Sequence, residues 1–340
     1  MFFLFFIKIA SILSAIVGVT FSIPIGVALY CGEYQVLPGF VIPMLISFLL
    51  VTIINITTRK LKYNMTIRQT FFSVATVWII ASLMGSVPLY FCGYFNSYID
   101  AFFESVSGFT TTGSTILSDV DCLPRSINMW RCITHWLGGM GIVTLTVALL
   151  PLLGVGGFQL IKAETTGPEK GKVTARITTT AKVLWIIYTG LTLIEALALK
   201  IAGMDLIDAI SHAFATLGTG GFSTRSASIG AYNSVAVDVI TTVFMFLAGI
   251  NFSLYFYLIS GDFREIKDNS EFKAYVSIVV FFILAVTLSL LGTYGSFAKA
   301  LRYSSFQVVS LISTTGFATA DFMEWPAITQ FLLFLLFFIG

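Results

Sequence analysis

The stretch Ser107–Thr115, SGFTTTGST, is small, polar and glycine-bearing, and it sits inside a strongly apolar chain. The same kind of stretch returns twice. Counting from Gly113, the next glycine in register is Gly221, in ATLGTGGFST, 108 residues on; the third is Gly316, in LISTTGFAT, 95 residues further. Each follows a short apolar run suited to a helix of about three turns: DAFFESV, DAISHAFA and SSFQVVS. Superposing the three glycines sets Thr110-Thr111-Thr112 against Gly218-Thr219-Gly220 and Ser313-Thr314-Thr315, so the middle position is threonine in all three. The same register brings together Glu104, His212 and Gln307, polar residues at matching points of three otherwise apolar short helices. It also lays Asp100 over Asp208, each at a short-helix start, where an acid favours the helix dipole. Self-similarity of this kind marks an architecture assembled from one repeated unit.

Outward from the kinks, 57% of residues are hydrophobic and 11% charged, with mean hydropathy +0.92. Soluble domains carry about 25% charged residues, so the chain is an all-α integral membrane protein. Its net charge of +2 gives no reason to expect a nucleic-acid partner; in a membrane protein the placement of charge matters more than its sum. The four cysteines, Cys31, Cys92, Cys122 and Cys132, have no metal-ligand spacing and read as small buried residues. The N-terminal run holds Lys8 and lacks a small-residue cleavage site, so it reads as a retained membrane helix.

Residues 2–30 and 36–56 read as two leading spans, followed by TTRKLKYNMTIRQ with Arg59, Lys60, Lys62 and Arg68 and no acid. The positive-inside rule makes this loop, and with it the N-terminus, cytoplasmic. A unit then repeats: a span toward the outer face, a short re-entrant helix, the kink, and a returning span. Its parts are expected at 71–94, 100–108 and 129–153; at 182–202, 206–217 and 232–259; and at 274–292, 304–313 and 325–340. The chain divides accordingly into 1–69 (leading helices and basic loop), 70–155, 156–260 and 261–340. The inner loops, 58–68, 160–182 and 261–273, hold 12 of the 19 basic residues. Arg125, Arg131, Lys200, Arg225, Lys299 and Arg302 fall on the outer side, among acids such as Asp119, Asp121, Asp205 and Asp321. Were the short helices to cross fully, alternate basic loops would land outside, so re-entrance is the cheaper topology.

Irregular backbone at membrane depth persists only when buried in protein or lining a water-filled path. Backbone carbonyls replace an ion's hydration shell, threonine hydroxyls add oxygens, and glycine accepts the positive φ that turns carbonyls to one axis. Oxygen-only ligands suit a hard alkali cation. A short helix ending at the kink leaves its last carbonyls unpaired and aims its negative dipole end at the axis. The kinks therefore read as walls of one cation-selective pore, with Glu104, His212 and Gln307 as filter support. A secondary transporter with broken helices and a midplane substrate site is the alternative, but it would show inverted repeats, whereas the three units run in one orientation. An enzyme would need a nucleophile–base pair or metal ligands at one depth; the two histidines, His135 and His212, lie in different units. His135, beside Trp136, reads as interfacial or packed, and Gly138-Gly139-Met140-Gly141 as close helix packing.

SGFTTTGST, HWLGGMGIV from His135, GGFST from Gly220 and STTGFATADF from Ser313 resemble the TrkH/KtrB/HKT superfamily of potassium transporters. The two leading spans make the chain most similar to its bacterial TrkH/TrkG type. The resemblance implies four span–pore helix–span repeats in one polypeptide, and potassium uptake across the bacterial cytoplasmic membrane. It implies potassium as the transported ion with no covalently bound cofactor, lipid contact, a homodimer, and a cytosolic nucleotide-binding regulatory subunit. Position by position, Thr111, Thr112, Thr219, Gly220, Thr314 and Thr315 would give oxygens to potassium, and Gly113, Gly221 and Gly316 would permit the bend. A glycine at 113, where sodium-preferring plant relatives carry serine, points to potassium, or to potassium with some sodium leak. The family pattern has four filters and this sequence holds three, running to FLLFLLFFIG part-way through the last span of the third repeat. It therefore reads as a fragment or truncated product with an incomplete third repeat, and is expected not to conduct selectively alone, since an open-sided pore would set polar backbone against lipid.

Overall fold

The computed structural model describes residues 2–59, 66–141 and 174–340. Among these the regular elements are helices, with no strand. Among the described residues, five helical stretches are long and apolar enough to cross a membrane: Phe3–Cys31, Leu37–Thr57, Phe71–Phe91, Lys182–Ile201 and Ser270–Tyr294. Two compact units divide the chain. The first holds Met1–Thr110, Ser114–Leu117 and Cys122–Trp185; the second holds Thr111–Gly113, Ser118–Asp121 and Ile186–Gly340.

In the first unit the leading run is two helices, α1 (Phe2–Thr20) and α2 (Ser22–Cys31), where one was expected. Pro24 explains the break: it has no N–H for the Thr20 carbonyl, and its ring crowds that carbonyl. Next come α3 (Leu37–Thr57), α4 (Ile67–Phe91), the short α5 (Tyr98–Phe109) and α6 (Arg125–Gly139). Capping boxes start α4 (Thr66 with Gln69) and α5 (Ser97 with Asp100), each satisfying two otherwise orphaned N–H groups. The α6 N-terminus is capped from a distance, as the Glu33 carboxylate in the α2–α3 turn accepts from the Arg125 and Ser126 amides at 2.7 and 3.0 Å. An aromatic core ties the leading helices to the repeat. Phe21, Phe40, Phe109 and Trp130 are all fully buried, and the Trp130 indole donates to the Gly85 carbonyl at 2.9 Å.

At 12 residues α5 is about 18 Å long, too short for a hydrocarbon core of about 30 Å. The returning span expected at 129–153 begins earlier, at Arg125; its residues 142–153 lie outside the described residues. So do Lys60 and Lys62, the boundary at 155/156, and Lys162, Lys170 and Lys172 of the second basic loop.

α7 (Thr174–Ile201) carries the chain from the first unit into the second. There follow α8 (Leu206–Leu217), α9 (Val235–Ala248), α10 (Ser253–Ser260), α11 (Phe263–Asp268), α12 (Ser270–Tyr294), α13 (Phe297–Ile312) and α14 (Ala327–Leu336). The returning span expected at 232–259 is broken at Gly249–Phe252 between α9 and α10. Two tyrosines satisfy the carbonyls freed there: Tyr255 donates to Leu247 O at 2.7 Å and Tyr275 to Phe246 O at 3.2 Å. The third short helix starts at Phe297, two turns before the expected Ser304. Lys299 and Arg302 gave those turns the look of an outer loop, but they belong to an amphipathic helix whose Arg302 pairs with Asp238 at 2.7 Å.

Candidate functional site

The end of α8 fixes the shape of its kink. Gly218 is the last near-helical residue; Thr219 N–H then bonds Thr216 O at 2.9 Å, and Gly220 N–H bonds Ala215 O at 3.0 Å. The end of α13 repeats the pattern: Thr314 N–H to Leu311 O at 3.0 Å and Thr315 N–H to Ser310 O at 2.9 Å. This is the Schellman closure, which needs a left-handed residue in a place where glycine is the usual choice. Threonine stands there instead, three times: Thr111, Thr219 and Thr314 have φ of 53°, 49° and 56°. A β-branched residue in that region is an outlier costing on the order of 1–2 kcal/mol, and strain of this kind clusters at functional sites. The last-turn carbonyls are not all left unpaired, as the sequence had suggested; the kink's own amides take those of Ala215 and Thr216 in α8 and of Ser310 and Leu311 in α13.

Two residues on, Gly113, Gly221 and Gly316 have φ of 75°, 80° and 83°. Positive φ at alternate residues breaks the up-and-down alternation of carbonyls along extended chain and lets neighbours face one side. Within the second unit the kinks abut in chain order. A Cβ on Gly113 would run into the Gly220 carbonyl oxygen, and a Cβ on Gly221 into the Thr315 carbonyl oxygen. Thr111–Gly113, Gly218–Gly221 and Ser313–Gly316 thus form consecutive staves, Gly113 and Gly221 each receiving the carbonyl of the next, while a Cβ on Gly316 would meet nothing within 4 Å. Thr314 and Gly316 are exposed, Thr111, Gly113, Thr219 and Gly221 half-buried, and Thr315 is buried with its hydroxyl on Ser313 at 2.8 Å. The kinks are built from threonine, serine and glycine, so the ligands they offer are backbone and hydroxyl oxygens.

The loops beyond the glycines are stitched together in the same order. The Ser226 hydroxyl donates to Asp119 at 2.8 Å and accepts from the Val120 amide at 3.0 Å, while the Ser226 amide donates to Asp121 at 3.1 Å. Between the second and third loops, Gly230 N–H meets Ala318 O at 3.1 Å and Ala318 N–H meets the Ser228 hydroxyl at 3.2 Å. Burial pushes the Asp121 carboxyl up, but the Ser226 hydrogen bonds and the Arg225 charge outweigh it and hold it below the ordinary aspartate value.

The three matched polar residues differ in what they reach. Buried Glu104 accepts from the Thr115 hydroxyl at 2.9 Å and the Ile116 amide at 3.1 Å. Buried His212 has Nδ1 on the Asp208 carbonyl at 2.8 Å, so that nitrogen carries the proton and Nε2 accepts from the Ser223 hydroxyl at 2.9 Å. Thr115 and Ser223 both lie two residues past the kink glycine. In the third unit that place is Ala318, and the buried Gln307 Oε1 has no hydrogen-bond partner. Here Ser310 ties the turn instead, donating to Phe317 O at 2.6 Å. Asp100 stays in its capping box, while Asp208 takes Arg225 and Tyr232 at 3.1 and 2.9 Å.

Arg131 was read from sequence as an outer charge, yet it is 2% exposed and pairs with Glu104 through Nε and Nη2, both at 2.8 Å. His135, one turn further along α6, contacts the Gly108 carbonyl at 2.8 Å. Both were detectable: an acid and a base set in apolar helices of one unit must find a partner. With Arg225 on Asp208 and Arg302 on Asp238, three of the six outer cations are consumed by local pairs.

Crossing helices, short helices that turn back at a strained polar kink, and kinks in register define the class: a multi-pass, all-α membrane protein of tandem span, short-helix, span units. The family model for TrkH, described as a cation transport protein, matches residues 37–291. The Trk system potassium uptake protein TrkH of Vibrio parahaemolyticus is 40% identical over 341 residues, covering 98% of this chain and 70% of the relative. TrkH of Escherichia coli K12 is 43% identical over 289 residues, 83% of this chain, and the chain spans 59% of that relative's length. The crystal structure of the potassium transporter TrkH from Vibrio parahaemolyticus superposes with a TM-score of 0.82 at 36% identity, over 99% of this chain and 70% of that one. The chain belongs to the TrkH family.

Proposed function

We propose that the chain carries three staves of a selectivity filter through which potassium enters the cell, as part of the membrane subunit of a Trk-type uptake system. The observation that carries this reading is the threefold recurrence of a left-handed threonine followed by a positive-φ glycine, with the first two glycines, Gly113 and Gly221, packed on the next stave's carbonyl. Thr111, Thr112, Thr219, Gly220, Thr314 and Thr315 supply backbone and hydroxyl oxygens to potassium, and Gly113, Gly221 and Gly316 allow the carbonyls to line one side. Glu104 with Arg131, and His212 with Ser223, hold the segments behind the oxygens, so the filter need not collapse on a smaller ion. The relatives, potassium uptake proteins and a potassium transporter, support the choice of ion. The basic loop at 58–68 favours an N-terminus on the cytoplasmic side of the bacterial inner membrane. A homodimer and a cytosolic nucleotide-binding regulator complete the proposal by family resemblance. In a strain lacking its own potassium uptake, the protein carrying these residues should restore growth at low potassium, and Gly113→Asp should abolish it. Retained potassium-selective uptake in Gly113→Asp would overturn the reading.

A further inference from the structure

Lys8 lies in α1 and is 7% exposed, on a helix that also buries Phe5, Ile9 and Ile12. α1 packs on α3 and α4, yet α1, α2, α3 and α4 hold no acid. Among the described residues no carboxylate pairs with Lys8, and none pairs with Arg59 or Arg68. A buried ammonium in a membrane helix is costly without an anion beside it, and an ionisable residue so placed marks a functional site unless the fold pairs it.

Three contacts fix what stands level with Lys8. A Cβ on Gly18 of α1 would strike the Ser47 hydroxyl of α3, and Phe21, just past α1, meets Phe40 at 5.7 Å, so the two helices run antiparallel. Ten residues back from Gly18 is Lys8; ten residues on from Ser47 is Thr57, the last of α3, two before the exposed Arg59. Phe6 meets Phe72 of α4 at 5.9 Å, and the exposed Arg68 lies one turn nearer the start of α4 on that same face. Helical side chains lean toward the N-terminus, so the Lys8 stem runs toward the end where Arg59 and Arg68 stand. The stretch Phe3–Cys31 has 29 residues, about 43 Å of helix against a hydrocarbon core of about 30 Å. With the excess shared between its ends, Lys8 falls at the edge of the core, where lipid phosphates begin.

We propose that Lys8, Arg59 and Arg68 form a site for the headgroup of an anionic phospholipid. The arginine forks suit phosphate oxygens, and Lys8 adds the charge that favours a net-negative headgroup over a zwitterionic one. Phe3, Ile56 and Phe72 are exposed at the same end of these helices and offer an apolar flank to the acyl chains. A free phosphate or a soluble acidic protein would leave that flank unused, so the occupant is a lipid. The site is built from α1, the end of α3 and the start of α4, and it stands whatever ion the chain carries.

Thermal unfolding of the purified protein in an uncharged detergent, titrated with lipid, tests the site. Phosphatidylglycerol should raise the parent's midpoint. Phosphatidylcholine, whose choline cancels the phosphate's charge, and inorganic phosphate should not. Lys8→Met should lower the apparent phosphatidylglycerol affinity by about tenfold or more, yet unfold no earlier than the parent without lipid, because it removes an unpaired buried charge. Arg59→Gln and Arg68→Gln, at exposed positions, should each lower that affinity about fivefold. An equal response to the two lipids, or a Lys8→Met that keeps the parent's response, would overturn the proposal. A shift as large with inorganic phosphate would overturn the assignment to lipid. Should Lys8→Met not fold, the arginine variants still decide: unchanged affinity in both would overturn the site.

Discussion

Arg131→Met removes the cation of the most buried ion pair in the first unit while keeping most of the side chain's apolar stem. Arg131 gives Glu104 two charge-assisted bonds of 2.8 Å, and the pair is 2% and 0% exposed at the side chains. The variant leaves Glu104 with two neutral donors, Thr115 and Ile116, in a place water does not reach. Stranding a buried charge in this way costs about 3–5 kcal/mol, roughly two to three and a half powers of ten in the folded-to-unfolded ratio. Adding Glu104→Gln takes away the stranded charge, and the amide oxygen still accepts from the same side. The double variant should therefore recover all but about 1 kcal/mol of the loss. The unfolding midpoint of the purified protein in detergent reads both effects, and potassium uptake should follow the same order: parent, double variant, single variant. A single variant as stable as the parent, or a double variant no better than the single, would refute the idea that the buried Arg131–Glu104 pair holds this part of the first unit together.

Thr111→Gly, Thr219→Gly or Thr314→Gly should each relieve on the order of 1 kcal/mol of left-handed strain and raise the unfolding midpoint, while potassium-over-sodium selectivity in uptake falls through loss of a ligand oxygen and of stiffness. Ala318→Ser restores a hydroxyl at the place occupied by Thr115 and Ser223; a bond to Gln307 Oε1 should raise stability by about 1 kcal/mol, seen in the same unfolding assay. The Asp121 clasp has a folded-state pKa below its unfolded one, so its stabilisation is complete above the ordinary aspartate value and is lost only as pH falls through the lower one. Amide exchange at Val120 and Ser226 should stay slow down to about pH 4 and quicken below it.

Much of the fold was legible because its signals are local. Apolar runs of span length and a short helix before each kink are read residue by residue, and the bounds of α8 came out as expected at Leu206–Leu217. What escaped were features decided by a single backbone group or by a distant partner. Pro24 breaks the first run through one missing N–H, and the α9–α10 break is tolerable only because Tyr255 and Tyr275 reach its carbonyls. At the site, the register put Thr111, Thr219 and Thr314 in one row, but nothing in a threonine announces a left-handed backbone. Arg131 passed for a surface charge because its partner, Glu104, lies 27 residues away on another helix. Gln307 aligned with Glu104 and His212, yet its reach depends on residue 318, where an alanine offers nothing to bond.

The central claim is that the kinks are adjoining staves of one filter, Gly113 and Gly221 each receiving the next stave's carbonyl. Potassium-over-sodium uptake by Gly113→Ala, Gly221→Ala and, as control, Gly190→Ala measures it most directly. Gly190 lies within α7, and a Cβ there meets nothing within 4 Å, so that variant should transport like the parent. Gly113→Ala and Gly221→Ala drive a methyl into the Gly220 and Thr315 carbonyl oxygens at a positive φ and should lose selective uptake while the protein still reaches the membrane. Selectivity unchanged in Gly113→Ala and Gly221→Ala would contradict the account.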